Sequence, residues 1–116
     1  MTTILIVDDE APIRELLADA LMIEGYDVVT VADGLAAFDQ IARECPALVI
    51  TDNMMPRLSG AGLIVRLHAA PMGTPPILLM SAVTPSQSAP PPVPFLAKPF
   101  DLGNLFALVH RLAGAP

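Results

Sequence analysis

Five short apolar runs, each broken off by polar residues, dominate this sequence. Residues 4–7 read Ile-Leu-Ile-Val and are followed by three acids, and similar runs stand at 28–31, 47–51, 77–80 and 94–97. A strand that is apolar at nearly every position, rather than at every second one, is covered on both of its faces. The runs therefore predict five buried strands of one parallel sheet.

Helical patterns fill most of the intervals between these runs. A helix is predicted over residues 11–24, where apolar side chains recur every three or four positions and Gly25 follows as a stop signal. Further helices are predicted to open at Asp33 and Ser59 and after a capping Asp101. In the last helix six residues are expected to face inward: Leu102, Leu105, Phe106, Leu108, Val109 and Leu112. Strand and helix alternate, which predicts a doubly wound α/β fold with helices on both faces of the sheet.

The interval between the fourth and fifth runs departs from this pattern. Eight of the thirteen prolines fall between Pro75 and Pro99, and four of them lie within residues 82–92. Proline breaks helices, so no helix of three turns is expected there, and at most one turn follows Thr84. Eleven residues in polyproline geometry span about 34 Å, which is enough to return along one strand. A crossover without a full helix is therefore predicted.

Length, charge and cysteine content exclude several classes of protein. The 116 residues fit one domain over 1–116, and the net charge of −6 disfavours direct binding to nucleic acid. A single cysteine, Cys45, excludes a disulfide framework and a multi-thiolate zinc site. No apolar run is long enough to span a membrane and no basic leader is present, so a cytoplasmic location is expected.

Polar residues stand where the predicted strands end, which is where sheets of this kind bind ligands. Those ends carry Asp8, Asp9, Glu10, Asp52, Ser81 and Lys98. Carboxylates at adjacent strand ends repel one another, and one ammonium cannot balance three acids. A hard divalent cation with oxygen ligands, such as Mg²⁺, is the expected remedy.

The same strand ends suit attack on phosphorus. A metal ion neutralises phosphoryl oxygens, a lysine pairs with another oxygen and a hydroxyl donates to the third. Asp52, Lys98 and Ser81 would supply the nucleophile, the ammonium and the hydroxyl.

In this order, the motifs resemble the receiver domain of two-component response regulators. The resemblance runs from about Thr3 to Leu112. It rests on Ile4–Glu10, Leu48–Pro56 with Gly60 following, Ser81-Ala82 and Lys98-Pro99-Phe100. It implies a flavodoxin-like sheet of five strands in the order 2-1-3-4-5. The fourth helix of the family would here be missing or reduced, because the proline-rich segment takes its place.

The resemblance implies how the acidic site would work. Asp52 would accept a phosphoryl group from a histidine kinase or a histidine phosphotransfer protein. Asp9, Asp52 and the backbone carbonyl of Met54 would bind Mg²⁺ directly, and Asp8 would act through a water molecule.

The resemblance also implies a switch and an output. Ser81 would hydrogen-bond the phosphoryl group and report its presence, Lys98 would form an ion pair with it, and Phe95 occupies the position of an aromatic switch. The chain would signal to a downstream protein target as a monomer or weak homodimer. It is expected to be no enzyme beyond slow self-dephosphorylation, and to carry no DNA-binding module after Pro116.

Two alternatives remain open from the sequence. The first is a receiver-like adaptor whose partner surface is constitutive, which the charge-free stretch from Leu67 to Ala97 motivates. The second is a phosphohydrolase of the haloacid dehalogenase class, for which Asp8 and Glu10 have the required spacing although the position that follows does not fit. Binding that persists in Asp52→Asn would favour the first, and steady turnover of an aryl phosphate would favour the second.

Overall fold

Five strands and four helices make up the part of the chain that the computed structural model describes, residues 2–55, 57–71, 73–81 and 93–116. The strands are β1 (Thr3–Val7), β2 (Asp27–Val31), β3 (Leu48–Asp52), β4 (Ile77–Ser81) and β5 (Phe95–Ala97). The helices are α1 (Ala11–Ile23), α2 (Gly34–Arg43), α3 (Gly60–Ala69) and α4 (Leu102–Ala113). All strand pairs are parallel, in the spatial order β2-β1-β3-β4-β5. The predicted doubly wound fold and its strand order are confirmed.

Side chains of the central strands β1, β3 and β4 enter two separate cores, one on each face of the sheet. The core under α1 and α4 receives Ile4, Ile6, Leu48, Ile50, Leu78 and Met80. The core under α2 and α3 receives Leu5, Val7, Val49, Ile77 and Leu79. Because successive residues of a strand point to opposite faces, uninterrupted apolar runs are what two buried faces require. The polar residue at the end of each run is then the first to leave the cores.

Local capping signals fix where three helices begin. The side chains of Asp33, Ser59 and Asp101 accept hydrogen bonds from backbone N–H groups in the first turns of α2, α3 and α4, at 2.8, 3.0 and 2.7 Å. These contacts satisfy amides that have no partner within the helix. The predicted starts of these helices are confirmed.

One expectation for the last helix is wrong. Leu102, predicted to face inward, is 40% exposed. It is the first residue of α4, so it lies before the turns that cover the sheet. Leu105 and Val109, further along α4, are fully buried.

The expected reduction of the fourth helix of the family concerns residues 82–92, which lie outside the described residues. Four helices are present in the described part of the chain, where the resemblance implies five. None of these four is long and apolar enough to cross a membrane.

Candidate functional site

The register of the sheet brings the strand-end residues together. Val7 pairs with Thr51, so Asp8 and Asp52, one residue further along each strand, are neighbours at the carboxyl edge. On the other side of β4, the Lys98 amide donates a hydrogen bond of 2.9 Å to the Ser81 carbonyl oxygen. The chemistry-bearing residues of four strands therefore share one rim of the sheet.

The Lys98 ammonium lies between two buried carboxylates. Its Nζ is 3.5 Å from Asp8 Oδ2 and 3.3 Å from Asp52 Oδ1. Asp8 is fully buried and Asp52 is 5% exposed. Tight charge-assisted hydrogen bonds between nitrogen and oxygen are about 2.7–2.9 Å long. The ammonium is thus shared between the two acids and held tightly by neither.

Burial makes the charge on Asp8 costly. It raises the pKa of Asp8 above the usual value for an aspartate, although the Glu10 amide and the Lys98 ammonium act in the opposite direction. Burial alone would lower the pKa of Lys98, but the neighbouring Asp8 and Asp52 carboxylates outweigh it and raise that pKa. Two acids and one cation leave an excess of negative charge that a further cation would relieve.

A cluster of carboxylate oxygens could hold such a cation. One oxygen from each of Asp8, Asp9, Glu10 and Asp52 lies within 4.8 Å of all the others. Asp9 and Glu10 are exposed and the other two are buried, so the cluster opens to solvent on one side. An all-oxygen, anionic donor set fits a hard divalent cation. Glu10, which the sequence suggested as a site residue only in the phosphohydrolase alternative, belongs to this cluster.

The remaining predicted site residues lie around this cluster. Ser81 is 1% exposed at the end of β4. Phe95 is half-buried at the start of β5 and packs against the core under α2 and α3. The Met54 side chain is 69% exposed in the loop that follows β3. The structure thus places Ser81 at the rim with the acids and Phe95 at the opposite end of the short strand β5 from Lys98.

Three residues that the sequence reasoning overlooked support the site. Arg14, one turn into α1, donates a 2.7 Å hydrogen bond to the Asp8 carbonyl oxygen. Asn53 accepts hydrogen bonds from the Gly60 amide on its carbonyl oxygen and from the Ala61 amide on its side chain, both at 3.1 Å. These contacts fix the backbone on either side of the acidic cluster.

The third of these residues is Arg57, whose guanidinium lies 2.6 Å from Asp33 Oδ2. For Asn53 the sequence does contain a usable signal, because this polar residue directly follows the strand-end acid Asp52. The other two contacts depend on the tertiary fold, since they join residues 6 and 24 positions apart.

Replacing Asp33 with asparagine is expected to lower the free energy of unfolding near pH 7 by up to about 1 kcal/mol. Asparagine keeps the helix cap and loses an ion pair whose Arg57 side chain is 66% exposed. The Ala36 amide and then Arg57 hold the pKa of Asp33 below its usual range. The aspartate's contribution is therefore complete above its unfolded pKa of about 3.9 and fades as the pH falls through the lower folded value.

Urea unfolding of both proteins across this pH range checks the prediction. The stability difference should shrink from about pH 4 downwards. The same substitution at the exposed Asp39 of α2 serves as the control for removing one acid. A difference that stays constant into strong acid would contradict the prediction.

With this geometry in place, comparison with known proteins identifies the family. The model of the response regulator receiver domain matches residues 4–110. The chain belongs to the receiver domain family of response regulators, which act in two-component systems.

Individual relatives agree with this assignment. A probable transcriptional regulator, ycf27, of Porphyridium aerugineum is 43% identical over 81 residues, covering 70% of this chain and 33% of the relative. Response regulator MprA of Mycobacterium sp. (strain KMS) is 34% identical over 113 residues, covering 94% of this chain and 49% of the relative. The chain thus spans about a third of the first relative's length and about half of the second's.

Among solved structures, the receiver domain of sensor histidine kinase PA1611 from Pseudomonas aeruginosa PAO1 is similar over nearly the whole length. The TM-score is 0.88 at 26% sequence identity, and the match covers 98% of each chain. That structure has a magnesium ion coordinated in its active site cleft.

Proposed function

We propose that this chain is a phosphoacceptor that takes a phosphoryl group on Asp52 in a Mg²⁺-dependent reaction and signals through protein partners. The observation that carries the proposal is the Lys98 ammonium, set 3.3 Å from Asp52 and 3.5 Å from Asp8 within one acidic cluster. A carboxylate with a neighbouring ammonium and further oxygen ligands provides positioning and charge neutralisation, which are what phosphoryl transfer requires.

The reaction moves one phosphoryl group between two side chains. An Asp52 carboxylate oxygen forms a bond to phosphorus while the bond from phosphorus to the donor histidine nitrogen breaks, and its electron pair stays on the imidazole. Lys98 pairs with a phosphoryl oxygen, and the Ser81 hydroxyl donates to another. Asp52 is 5% exposed, and this burial would shield the phosphorylated side chain from bulk water. Slow self-dephosphorylation is then the only turnover we propose.

Asp9, Asp52 and the Met54 carbonyl would hold Mg²⁺ directly, with Asp8 acting through a water molecule. When bound, the ion neutralises the charge that develops on the phosphoryl oxygens. The cluster of four carboxylates in this chain supports the choice of a hard cation, and so does the magnesium ion in the similar receiver domain from P. aeruginosa.

An apolar recess beside the site supports a protein as the phosphodonor. It has a volume of about 440 Å³ and lies between the first turns of α1 and the segment after β5. Its lining includes Ile13, Leu16, Phe100 and Leu102 next to Lys98, and Leu16 is 53% exposed. Exposed apolar surface of this kind marks protein contacts. A histidine kinase or histidine phosphotransfer protein that covers the recess would deliver its phosphohistidine to the adjacent rim.

Incubating the protein with acetyl phosphate and Mg²⁺ is expected to add about 80 Da, the mass of one phosphoryl group, in the intact-mass spectrum. Asp52→Asn should remain at its unmodified mass, because the amide is not a nucleophile. The matched control is Asp39→Asn on the exposed face of α2, which should be modified like the wild type. A wild-type protein that stays unmodified, or an Asp52→Asn protein modified to the same extent, would overturn the proposal.

The same variants separate the two alternatives. A constitutive adaptor would bind its partner equally well as wild type and as Asp52→Asn, and most of the crossover that motivated it lies outside the described residues.

In a phosphohydrolase of the haloacid dehalogenase class, Asp8 would be the nucleophile. Here one Asp8 oxygen accepts the Glu10 amide at 2.9 Å and the other faces Lys98, and the residue is fully buried. This arrangement favours Asp8 as a fixed counter-charge.

A further inference from the structure

Arg57 joins the loop after β3 to the start of α2. Its guanidinium lies 2.6 Å from Asp33 Oδ2. The other oxygen of Asp33 caps α2 by accepting the Ala36 amide at 2.8 Å. Because Asp33 is 7% exposed, Arg57 is held against a carboxylate that is itself fixed.

The backbone of Arg57 adopts a conformation that side chains disfavour. Its φ is +69°, and no other non-glycine residue in the described part of the chain has a positive φ. This left-handed region suits glycine and costs energy in other residues. Such a conformation persists when surrounding contacts over-determine it. The ion pair with Asp33 is a contact that a glycine here would lack.

A close contact between the residues that follow Asp33 and Arg57 also joins the loop to α2. Gly34, the first residue of α2, packs so closely on Leu58 that a Cβ at position 34 would lie 2.5 Å from the Leu58 carbonyl oxygen. At its other end the loop is fixed where Asn53 accepts the Gly60 and Ala61 amides. Met54, whose carbonyl is the proposed metal ligand, lies between these two anchors.

We propose that Arg57 is a positioning residue for the divalent cation, because its ion pair with Asp33 holds the loop in the conformation that presents the Met54 carbonyl. The inference rests on the proposed function, which takes the acidic cluster as a cation site and the Met54 carbonyl as one of its ligands. The contact of Arg57 in the described part of the chain goes to Asp33, which is not one of the proposed ligands, so Arg57 acts through the loop. Loss of residues that orient metal ligands weakens metal affinity by about 10- to 100-fold. We expect the lower end, about tenfold, for a residue three positions from the ligand.

The sign of the effect distinguishes positioning from simple electrostatics. Arg57 is a cation at the same rim as four acids, so its removal would strengthen Mg²⁺ binding if charge alone governed the affinity. Loss of the loop's anchor weakens binding instead. The two explanations therefore predict opposite changes in the same dissociation constant.

Mg²⁺ titration by isothermal calorimetry, together with urea unfolding, tests the inference on three variants. Arg57→Gly removes the ion pair but accepts the left-handed backbone, so we expect a stably folded protein that binds Mg²⁺ about tenfold more weakly. Arg57→Lys keeps a cation that can reach Asp33 and should retain most of the wild-type affinity. Arg43→Ala removes an exposed cation from α2 and is the control for net charge.

Unchanged or tighter Mg²⁺ binding by a folded Arg57→Gly would overturn the inference. If the wild type bound Mg²⁺ and took up a phosphoryl group while Arg57→Gly behaved identically, only the positioning role would be lost. If the wild type bound no Mg²⁺, both the positioning role of Arg57 and the metal dependence of the proposed function would be refuted. Phosphorylation measured by mass separates these two failures.

Discussion

Replacing Lys98 with methionine is expected to slow the phosphorylation of Asp52 by about 100-fold. Lys98 is the only lysine in the chain, and its ammonium lies within 3.5 Å of both buried carboxylates. Removing one preorganised charge that faces the developing negative charge in a transition state costs about 100- to 1,000-fold in rate. Methionine preserves the length and most of the volume of the side chain, so the change in rate reports the loss of the positive charge.

The same substitution is expected to destabilise the protein and to make its stability depend on Mg²⁺. Asp8 and Asp52 lose their shared counter-charge, which costs roughly 1–3 kcal/mol, less than for a fully enclosed pair since the Lys98 side chain is 19% exposed. A cation that binds only the folded state restores stability by mass action. Because no ammonium then competes for the same oxygens, Mg²⁺ should bind more tightly than to the wild type.

The pH dependence of this stability difference follows from the raised pKa of Lys98. A group whose folded pKa is raised stabilises the protein fully below its unfolded pKa, about 10.4 for lysine, and stops doing so only as the pH rises through the folded value. Titration of the Lys98 ammonium itself should thus add no pH dependence to the difference between wild type and Lys98→Met over the neutral range.

A time course of intact mass with acetyl phosphate, and urea unfolding with and without Mg²⁺, provide the measurements for Lys98→Met. Lys98→Arg keeps the charge and should lie between the two proteins in rate. Arg111→Met, on the exposed side of α4, controls for removing a cation elsewhere. If Lys98→Met were phosphorylated at the wild-type rate, the proposed role of Lys98 in phosphorylation would be refuted.

Replacing Gly60 with alanine is the second change with a large expected effect. A Cβ at this position would lie 2.6 Å from the Asp52 carbonyl oxygen and 3.0 Å from Asn53 Cα. Backbone atoms cannot rotate away as the end of a side chain can, so either α3 or the end of β3 must shift. Overpacking of this kind costs about 1–3 kcal/mol. Since Asp52 is the proposed acceptor, we also expect slower phosphorylation and weaker Mg²⁺ binding.

Gly62→Ala, two residues further along the same helix, is the matched control. There the new Cβ would lie 2.7 Å from Leu58 Cδ1, the far end of a flexible side chain. Alanine gains up to about 1 kcal/mol over glycine within a helix, so this variant should be as stable as the wild type or more stable. Urea unfolding and Mg²⁺ calorimetry on both variants check the pair. Equal behaviour of the two would refute a special role for the contact at Gly60.

Much of the fold could be predicted because its signals are local. Each buried strand is a continuous apolar run, and each of three helices begins at a capping residue such as Asp33 or Ser59. A strand buried on both faces requires a continuous apolar run. The backbone amides in the first turn of a helix lack partners within the helix and require a capping side chain. The placement of Leu102 was wrong because helical spacing identifies an apolar face but not whether another layer covers its first turn.

The acids of the site could be predicted from their position at the ends of the strands, whereas the residues that hold the neighbouring loops in place could not. Asp8 and Asp52 are read directly from the ends of two runs, and parallel pairing makes them neighbours. The Arg57–Asp33 ion pair instead joins two loops and depends on a left-handed backbone at an arginine. No local pattern in the sequence indicates that conformation. The contact of Tyr26 with the Gly114 carbonyl, 88 positions apart, is equally invisible to spacing arguments.

The unbroken apolar character of β1, β3 and β4 has a consequence for folding. Where a strand is apolar on both faces, sliding it by one residue exchanges one buried side chain for another, so the inside-outside pattern no longer specifies alignment. The first polar group after each apolar run, Asp8 for β1 and Ser81 for β4, marks where that run must end. Substitution of such a polar group would therefore remove a residue of the proposed site and, with it, a signal that fixes the alignment of the strands.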